Sequence, residues 1–347
     1  MKRVAVIGHF GIGKGLVNGQ TIKTENLYNA LDGESGVAAS FVDTSGWKRH
    51  PLRLLVSVYR AVKDNEAVIM LPAKNGVRVF SSLLLLFNSH NSHRRAKLYY
   101  DVVGAWLPSL LSQNPHLATR LRKFDGVWAE TRTLQIALEK LGFDNVSLVP
   151  NFKDITPITS DEMGSIDGYP IRLVIFSRIS ELKGVSDAIN AVCAVNYNST
   201  KFVLDIFGPV EEEYKSAFEC LLSKSSGFVK YCGVIDASKS VDVLKKYHAL
   251  LFPTKSFTEG VPGTIIDAYC AGLPVIASRW ESYSDICIDG VSALGYEFGC
   301  TELLCELLKD IEEDPSILDG MRPDVIAEGR KYTSQETIKQ IIALLEV

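Results

Sequence analysis

The chain has no sign of a disulfide framework or a metal cluster. Its seven cysteines (Cys193, Cys220, Cys232, Cys270, Cys287, Cys300 and Cys305) all fall in the second half, and none form a C-x-x-C pair. An odd count without metal spacing reads as reduced, mostly buried thiols in a reducing compartment. No His/Cys grouping suggests zinc, so no metal is expected. Long hydrophobic runs are also missing. The longest strongly apolar stretch, Val79 to Phe87, is about half of what a membrane span needs. The first residues, MKRVAVIGHF, run directly into a strand-like stretch, without the longer apolar core and small-residue cleavage site of a signal peptide. A cytoplasmic protein is expected. Short-period repeats and low-complexity tracts are absent too.

What is present is ordinary globular composition: 347 residues, 46% hydrophobic and 22% charged. That is enough for two domains, each burying its own core. The net charge is only −4, but it is unevenly spread. Residues 1–150 carry 19 Lys and Arg against 11 Asp and Glu, a net +8, and residues 151–347 carry 18 against 30, a net −12. Such asymmetry implies that the halves face different partners. A basic first half suits an anionic lipid surface or a phosphate-bearing acceptor; ordinary variation between two domains is the other reading.

Both halves alternate apolar strand-like runs with helical periodicity. In the first, Arg3 to Gly8 is an apolar run ending in glycine, as a buried parallel strand does before its loop. A helix is expected over Thr21–Leu31, and strands over Ala38–Val42, Ala67–Leu71, Lys97–Val102, Gly126–Ala129 and Val146–Val149. The rhythm pauses between Asn151 and Pro170, a stretch rich in Ser, Thr, Asp, Gly and Pro and the best linker candidate. It restarts with strands at Ile171–Phe176, Lys201–Phe207, Phe228–Cys232, Ala249–Phe252 and Pro274–Ala277, with helices between them. The alternation predicts two doubly wound α/β domains, over 1–155 and 156–328, with a helix at 329–347 packing back on the first. Ligands of such sheets sit beyond the carboxyl ends of the strands, so the chemistry is sought in those loops.

The densest segment runs from Phe257 to Ala277. Glu259 lies on a Gly/Pro-containing turn after the strand Ala249–Phe252, and Asp267 lies eight residues on, inside the helix that the turn opens. The first helical amides face the loop as donors and favour anions and oxygen-rich ligands. Two such carboxylates can hold two hydroxyl-bearing parts of one ligand; a surface Glu and a solvated Asp are the alternative. Upstream, Phe176-Ser-Arg178-Ile-Ser-Glu-Leu-Lys183-Gly184 puts two cations after a strand. Cations there can neutralise a diphosphate as it leaves. Taken alone, an Arg-x4-Lys pair also fits a solvated loop.

The segment Glu259-Gly-Val-Pro-Gly-Thr-Ile-Ile-Asp267-Ala-Tyr-Cys-Ala-Gly272-Leu-Pro274 resembles the E-x7-E signature of the retaining glycosyltransferases called family 4. The Arg178–Gly184 loop is similar to that family's G-R-L-x-x-x-K-G loop, with Ser177 in place of glycine. The resemblance implies the GT-B fold, two Rossmann-like domains facing a central cleft. It also implies transfer of a sugar from a nucleoside diphosphate, UDP- or GDP-linked, with retention of configuration. Glu259 would contact the donor sugar, Asp267 the ribose, and the backbone from Pro262 through Gly263 to Thr264 the sugar and diphosphate. Asp267 stands where the family usually has Glu, so its side chain is one carbon shorter. Arg178 and Lys183 would offset the charge on the leaving group in place of a metal. The absence of any D-x-D fits this and argues against a metal-chelating glycosyltransferase of the other common fold. Tyr231 to Ile235, Val234 included, would flank the nucleobase.

The loop Gly8-His-Phe-Gly-Ile-Gly-Lys14 matches the start of a phosphate-cradling P-loop, the pattern of a phosphotransferase or NTPase. Gly15, however, stands where Mg2+ requires Ser or Thr. The continuation through Gly19, Gln20, Lys23 and Thr24 resembles the glycine loop and first helix of relatives that build bacterial surface polysaccharides. By that resemblance Gly19 approaches the donor, and Gln20 and Lys23 the acceptor. Asp101 closes a strand where many relatives carry a His nearby, and would line the acceptor cleft; a structural turn is the other reading. Expected partners are a nucleotide sugar and a glycan or lipid-linked acceptor, with peripheral contact at the inner membrane face and no nucleic acid. A non-catalytic carbohydrate- or nucleotide-binding protein on the same fold is the remaining alternative.

Overall fold

The computed structural model describes residues 1–11, 19–46, 49–91, 95–163, 168–225 and 227–346. These form two compact units: Met1–Asp154 with Gly260–Pro262 and Tyr332–Val347, and Ile155–Glu259 with Gly263–Lys331.

The first unit holds β1 (Lys2–Gly8), α1 (Gly19–Asp32), β2 (Val37–Asp43), α2 (Pro51–Asp64), β3 (Ala67–Met70) and α3 (Val77–Ser89). It continues through β4 (Lys97–Asp101), α4 (Leu107–Ser112), α5 (Pro115–Leu121), β5 (Gly126–Ala129), α6 (Arg132–Lys140) and β6 (Val146–Leu148). Every strand pair is parallel, in the order β2-β1-β3-β4-β5-β6. Strands buried on both faces need continuous apolar runs, and Val4 to Ile7 and Ala67 to Met70 are fully enclosed. One face packs against α2 to α6 through Val58, Val62, Phe80, Leu84, Leu110 and Leu138. The other packs against α1 through Leu27 and Leu31 and against the last helix through Ile338, Ile341 and Leu345. α1 lies so close to β1 that a Cβ on Gly8 would sit 2.5 Å from Thr24 Cγ2.

The second unit holds β7 (Ile171–Phe176), α7 (Val185–Val195), β8 (Phe202–Phe207), α8 (Lys215–Lys224), β9 (Val229–Gly233), α9 (Ser240–Leu244) and β10 (Ala249–Phe252). α10 (Gly263–Cys270), β11 (Val275–Ser278), β12 (Ala293–Tyr296), α11 (Thr301–Glu313) and α12 (Ser316–Arg330) complete it, and α13 (Ser334–Glu346) returns to the first unit. Its sheet, again all parallel, runs β12-β11-β10-β7-β8-β9. Both units are thus the doubly wound α/β domains that the alternation predicts. β12, α11 and α12 lie beyond the last strand expected from the sequence.

In each sheet the order reverses at one place, between β1 and β3 in the first unit and between β7 and β10 in the second. The loops leaving those two strands turn to opposite faces and leave a crevice between them. In the second unit, Gly184 fixes the wall of that crevice. It has φ +67° and closes the loop from β7, and a Cβ there would sit 1.7 Å from the Pro253 carbonyl oxygen just after β10. Gly184→Ala therefore combines backbone strain with a backbone clash, and the loop must move. A stability loss of at least about 1–3 kcal/mol is expected from the strain alone. A melting temperature equal to that of the wild type would contradict this account of the loop.

Candidate active site

At the β7/β10 switch point the second unit brings Lys183 and Glu259 together. Lys183 Nζ lies 2.5 Å from Glu259 Oε1 and 5.5 Å from the centre of the Phe252 ring. Thr254 Oγ1 donates to the same carboxylate oxygen at 3.3 Å, while its carbonyl accepts from Ser278 Oγ at 2.7 Å. Lys183 and Glu259 are partly exposed, whereas Phe252 and Thr254 are buried. The pair is therefore held on its inner side and open on the other. An ammonium and a carboxylate in that position can each receive one part of a ligand that carries both phosphate and hydroxyl groups.

The other candidates are distributed around this pair. Arg178, in the same loop, turns outward and pairs with Glu211 at 2.9 Å, both substantially exposed. Gly263 and Thr264 open α10, whose first amides have no partner within the helix itself. Thr264 Oγ1 is buried and has no hydrogen-bond partner among the described residues, and such a group calls for a ligand or a water. Asp267 is buried on α10 and accepts from Ser240 Oγ of α9 at 3.0 Å. It is thus packed against α9. Val234, just past β9, is well exposed, and Tyr231 Oη donates to the Gly208 carbonyl at 2.9 Å.

The first unit assembles a second cluster. Lys23 Nζ donates to Asp101 Oδ1 at 2.6 Å, to Glu130 Oε1 at 2.8 Å and to the Val102 carbonyl at 3.1 Å, and Lys23 is only 1% exposed. Glu130 Oε2 accepts the Gly104 and Val261 amides, each at 3.2 Å. The sequence marks Lys23 and Asp101 separately as acceptor contacts. The structure pairs them with each other and adds Glu130, which no motif marks. Its one local signal was a carboxylate directly after the apolar strand Gly126–Ala129. Gln20 donates to the Leu71 carbonyl at 2.9 Å, next to the β1/β3 switch point, and Gly19 has open space around its Cα. His9 shares a 2.9 Å hydrogen bond with Thr21 Oγ1. Pro262 is buried, and the preceding Val261 offers its carbonyl to Asn151 Nδ2 at 3.0 Å. Lys14 and Gly15, on which the P-loop reading turns, lie outside the described residues.

One cation between two carboxylates leaves a buried net charge of −1. Burial pushes the Asp101 carboxyl up to about 6, against the lowering effect of Lys23, and Glu130 pushes it further in the same direction. Burial alone would lower Lys23, but the two carboxylates outweigh it and hold its pKa above the ordinary lysine value. Asp101 Oδ2 has no partner among the described residues, which also favours the protonated acid.

Residues 161–332 match the family described as Glycosyl transferases group 1. A curated relative, the amylovoran biosynthesis glycosyltransferase AmsK of Erwinia amylovora, is 23% identical over 190 residues. That match takes in 51% of this chain and 45% of the relative, so the chain spans under half of its length. Among solved structures, sucrose-phosphate synthase from Thermosynechococcus elongatus aligns with a TM-score of 0.79 at 12% identity, over 100% of this chain and 98% of that one. Anabaena HepE in complex with UDP-glucose aligns at 0.76 and 14% identity over 100% of both chains. At such identities the likeness concerns the fold, and that fold is GT-B.

Lys23→Met should cost about 3–5 kcal/mol, because it leaves two carboxylates buried without their cation. Asp101→Asn, which mimics the protonated acid, should cost far less. Because the folded state holds the Asp101 proton more tightly than the unfolded chain, this residue's contribution to stability should fall as pH rises from 3.8 to about 6 and level off above. Denaturation curves of wild type and Asp101→Asn across that range test this, since the variant should lack that part of the slope. Equal losses in the two variants at neutral pH would refute the assignment.

Proposed function

We propose that this chain is a retaining glycosyltransferase of family 4. It would move a sugar from a UDP- or GDP-linked donor to a hydroxyl of a glycan or lipid-linked acceptor in bacterial polysaccharide assembly. The observation that carries the reading is the Lys183–Glu259 pair at the β7/β10 switch point, within the segment that matches Glycosyl transferases group 1. Similarity to AmsK, an amylovoran biosynthesis glycosyltransferase, and to HepE in complex with UDP-glucose supports the donor class and the pathway type.

In this reading Lys183 neutralises negative charge as it grows on the departing diphosphate, a role that needs a fixed cation and no metal. Arg178 shares the role by swinging from Glu211 towards the ligand. Glu259 gives up Lys183 to the phosphate and accepts hydroxyls of the donor sugar. The amides of Gly263 and Thr264, with the unpartnered Thr264 hydroxyl, meet sugar and diphosphate oxygens. Asp267 takes the ribose, Val234 flanks the base, and Gly19 approaches the donor phosphates. Gln20 with the Lys23–Asp101 cluster supports the acceptor side. The protein works in the cytoplasm, resting on the inner face of the membrane where a lipid-linked acceptor would lie.

Lys183→Ala and Glu259→Ala should each lower transfer by at least about 100- to 1,000-fold. Their melting temperatures should stay within a few degrees of the wild type. Wild-type transfer should survive EDTA. A thermal-shift screen against UDP, GDP and their sugars identifies the donor, since a ligand at about 100 Kd stabilises by roughly 2–3 kcal/mol. Full activity in both variants would refute the site, and loss of activity in EDTA would refute metal independence.

A further inference from the structure

α2 carries two apolar stripes. One, Leu54, Val58, Ala61 and Val62, packs into the first unit's core. The other, Leu52, Leu55, Val56 and Tyr59, follows the same three-and-four spacing on a different face and lies exposed, with Leu52 at 78% and Tyr59 at 45%. α3 lies alongside, with the Tyr59 and Phe87 rings edge to face at 5.5 Å. It adds exposed Val79 and Leu86 and half-buried Leu83, again at helical spacing. A soluble surface scatters such residues singly; two neighbouring helices that both present a stripe form a patch.

The charge around the patch is mostly positive, Asp64 at the end of α2 being the one acidic residue on the two helices. Arg53, Arg60 and Lys63 stand exposed beside the α2 stripe, and Arg78 beside that of α3. Arg120 of α5 reaches across to Ser82 and to the Arg78 carbonyl. From Arg49 to Arg95 the sequence holds eight Lys and Arg and two acidic residues. Aliphatic side chains flanked by long cationic ones are the composition of a helix lying in a bilayer interface. There the apolar tips enter the acyl boundary while the guanidinium groups stay among phosphates. Among the described residues no helix is long and apolar enough to cross a membrane, so the contact has to be parallel to the surface.

We propose that the outer face of α2 and α3 is a docking surface for an anionic lipid bilayer. This rests on the peripheral membrane contact proposed above and locates it on named side chains. Leu52, Val56, Tyr59 and Leu86 insert, and Arg53, Arg60, Lys63 and Arg78 hold the lipid phosphates.

The test is flotation of the full chain with vesicles of phosphatidylcholine alone or with about a third phosphatidylglycerol. The wild type should float with the anionic vesicles and at least about tenfold less with the neutral ones. Arg53→Glu/Arg60→Glu should weaken anionic binding by about 30-fold or more, taking about fivefold per cation near the surface. Leu52→Gln/Val56→Gln should lose binding on both vesicle types. The melting temperatures of these exposed variants, and their stabilisation by UDP or GDP, should match the wild type. Absence of wild-type flotation, or flotation unchanged in the Leu52/Val56 variant, would overturn the proposal. So would a wild-type dimer in solution that the same variant dissolves, since a second copy would then cover the face. Loss of the nucleotide shift in the wild type would instead count against the donor site and leave the lipid result standing.

Discussion

A backbone can approach another backbone closely only where one of them lacks a side chain, and the second unit uses that allowance at Gly184. Its left-handed conformation and its contact with the Pro253 carbonyl clamp the loop from β7 against the end of β10. Lys183 precedes this glycine and Glu259 follows Pro253 by six residues, so the clamp fixes the distance between ammonium and carboxylate. Gly208 acts similarly one strand over, where a Cβ would fall 1.8 Å from the Ser177 carbonyl oxygen, so the start of the same loop is held from its other side. The loop therefore owes its shape to what two glycines omit, and Lys183 is carried on it.

The same logic distinguishes the two charged clusters. Lys183–Glu259 is partly exposed and has one neutral hydroxyl and one ring for support, so exchanging the internal partner for a ligand costs little desolvation. Lys23–Asp101–Glu130 is sealed, and each ion has already lost its water. Removing one member of such a group exposes the others to the full cost of an unpaired buried charge. The second cluster therefore suits holding backbone in place, through the Val102 carbonyl and the Gly104 and Val261 amides, better than exchanging partners with a substrate.

The fold was legible because parallel strands buried on both faces must be continuous apolar runs, and Val4–Ile7, Ala67–Met70 and Leu250–Phe252 have no other use. Lys183 and Glu259 were legible as well, since loops after strand ends and turns before helices are local features. What stayed hidden was pairing. Glu130 lies 107 positions from Lys23, and nothing near either residue announces the other. Asp267 carried a motif, yet its burial against Ser240 depends on where α9 packs. The outer stripe of α2 was unreadable for a related reason. In a run such as Pro51-Leu-Arg-Leu-Leu-Val-Ser-Val, leucines bound for the core and leucines bound for the surface look alike, and only the packing of the helix separates them.

That ambiguity bears on the charge asymmetry as well. A net +8 over the first 150 residues is compatible with ordinary variation as long as the cations are scattered. On the folded unit Lys23 is spent internally, and Arg122 is stacked 5.2 Å from the Phe143 ring. Arg53, Arg60, Lys63 and Arg78 are exposed on two helices that also expose Leu52, Leu55, Val56, Tyr59, Val79 and Leu86. An exposed cation beside an exposed leucine gains little in water, because it neither shields the apolar surface fully nor finds a partner. Against a layer that is anionic at its surface and apolar beneath, each satisfies a need that the other cannot. Their coincidence on one face, more than the total charge, is what the proposed lipid docking rests on.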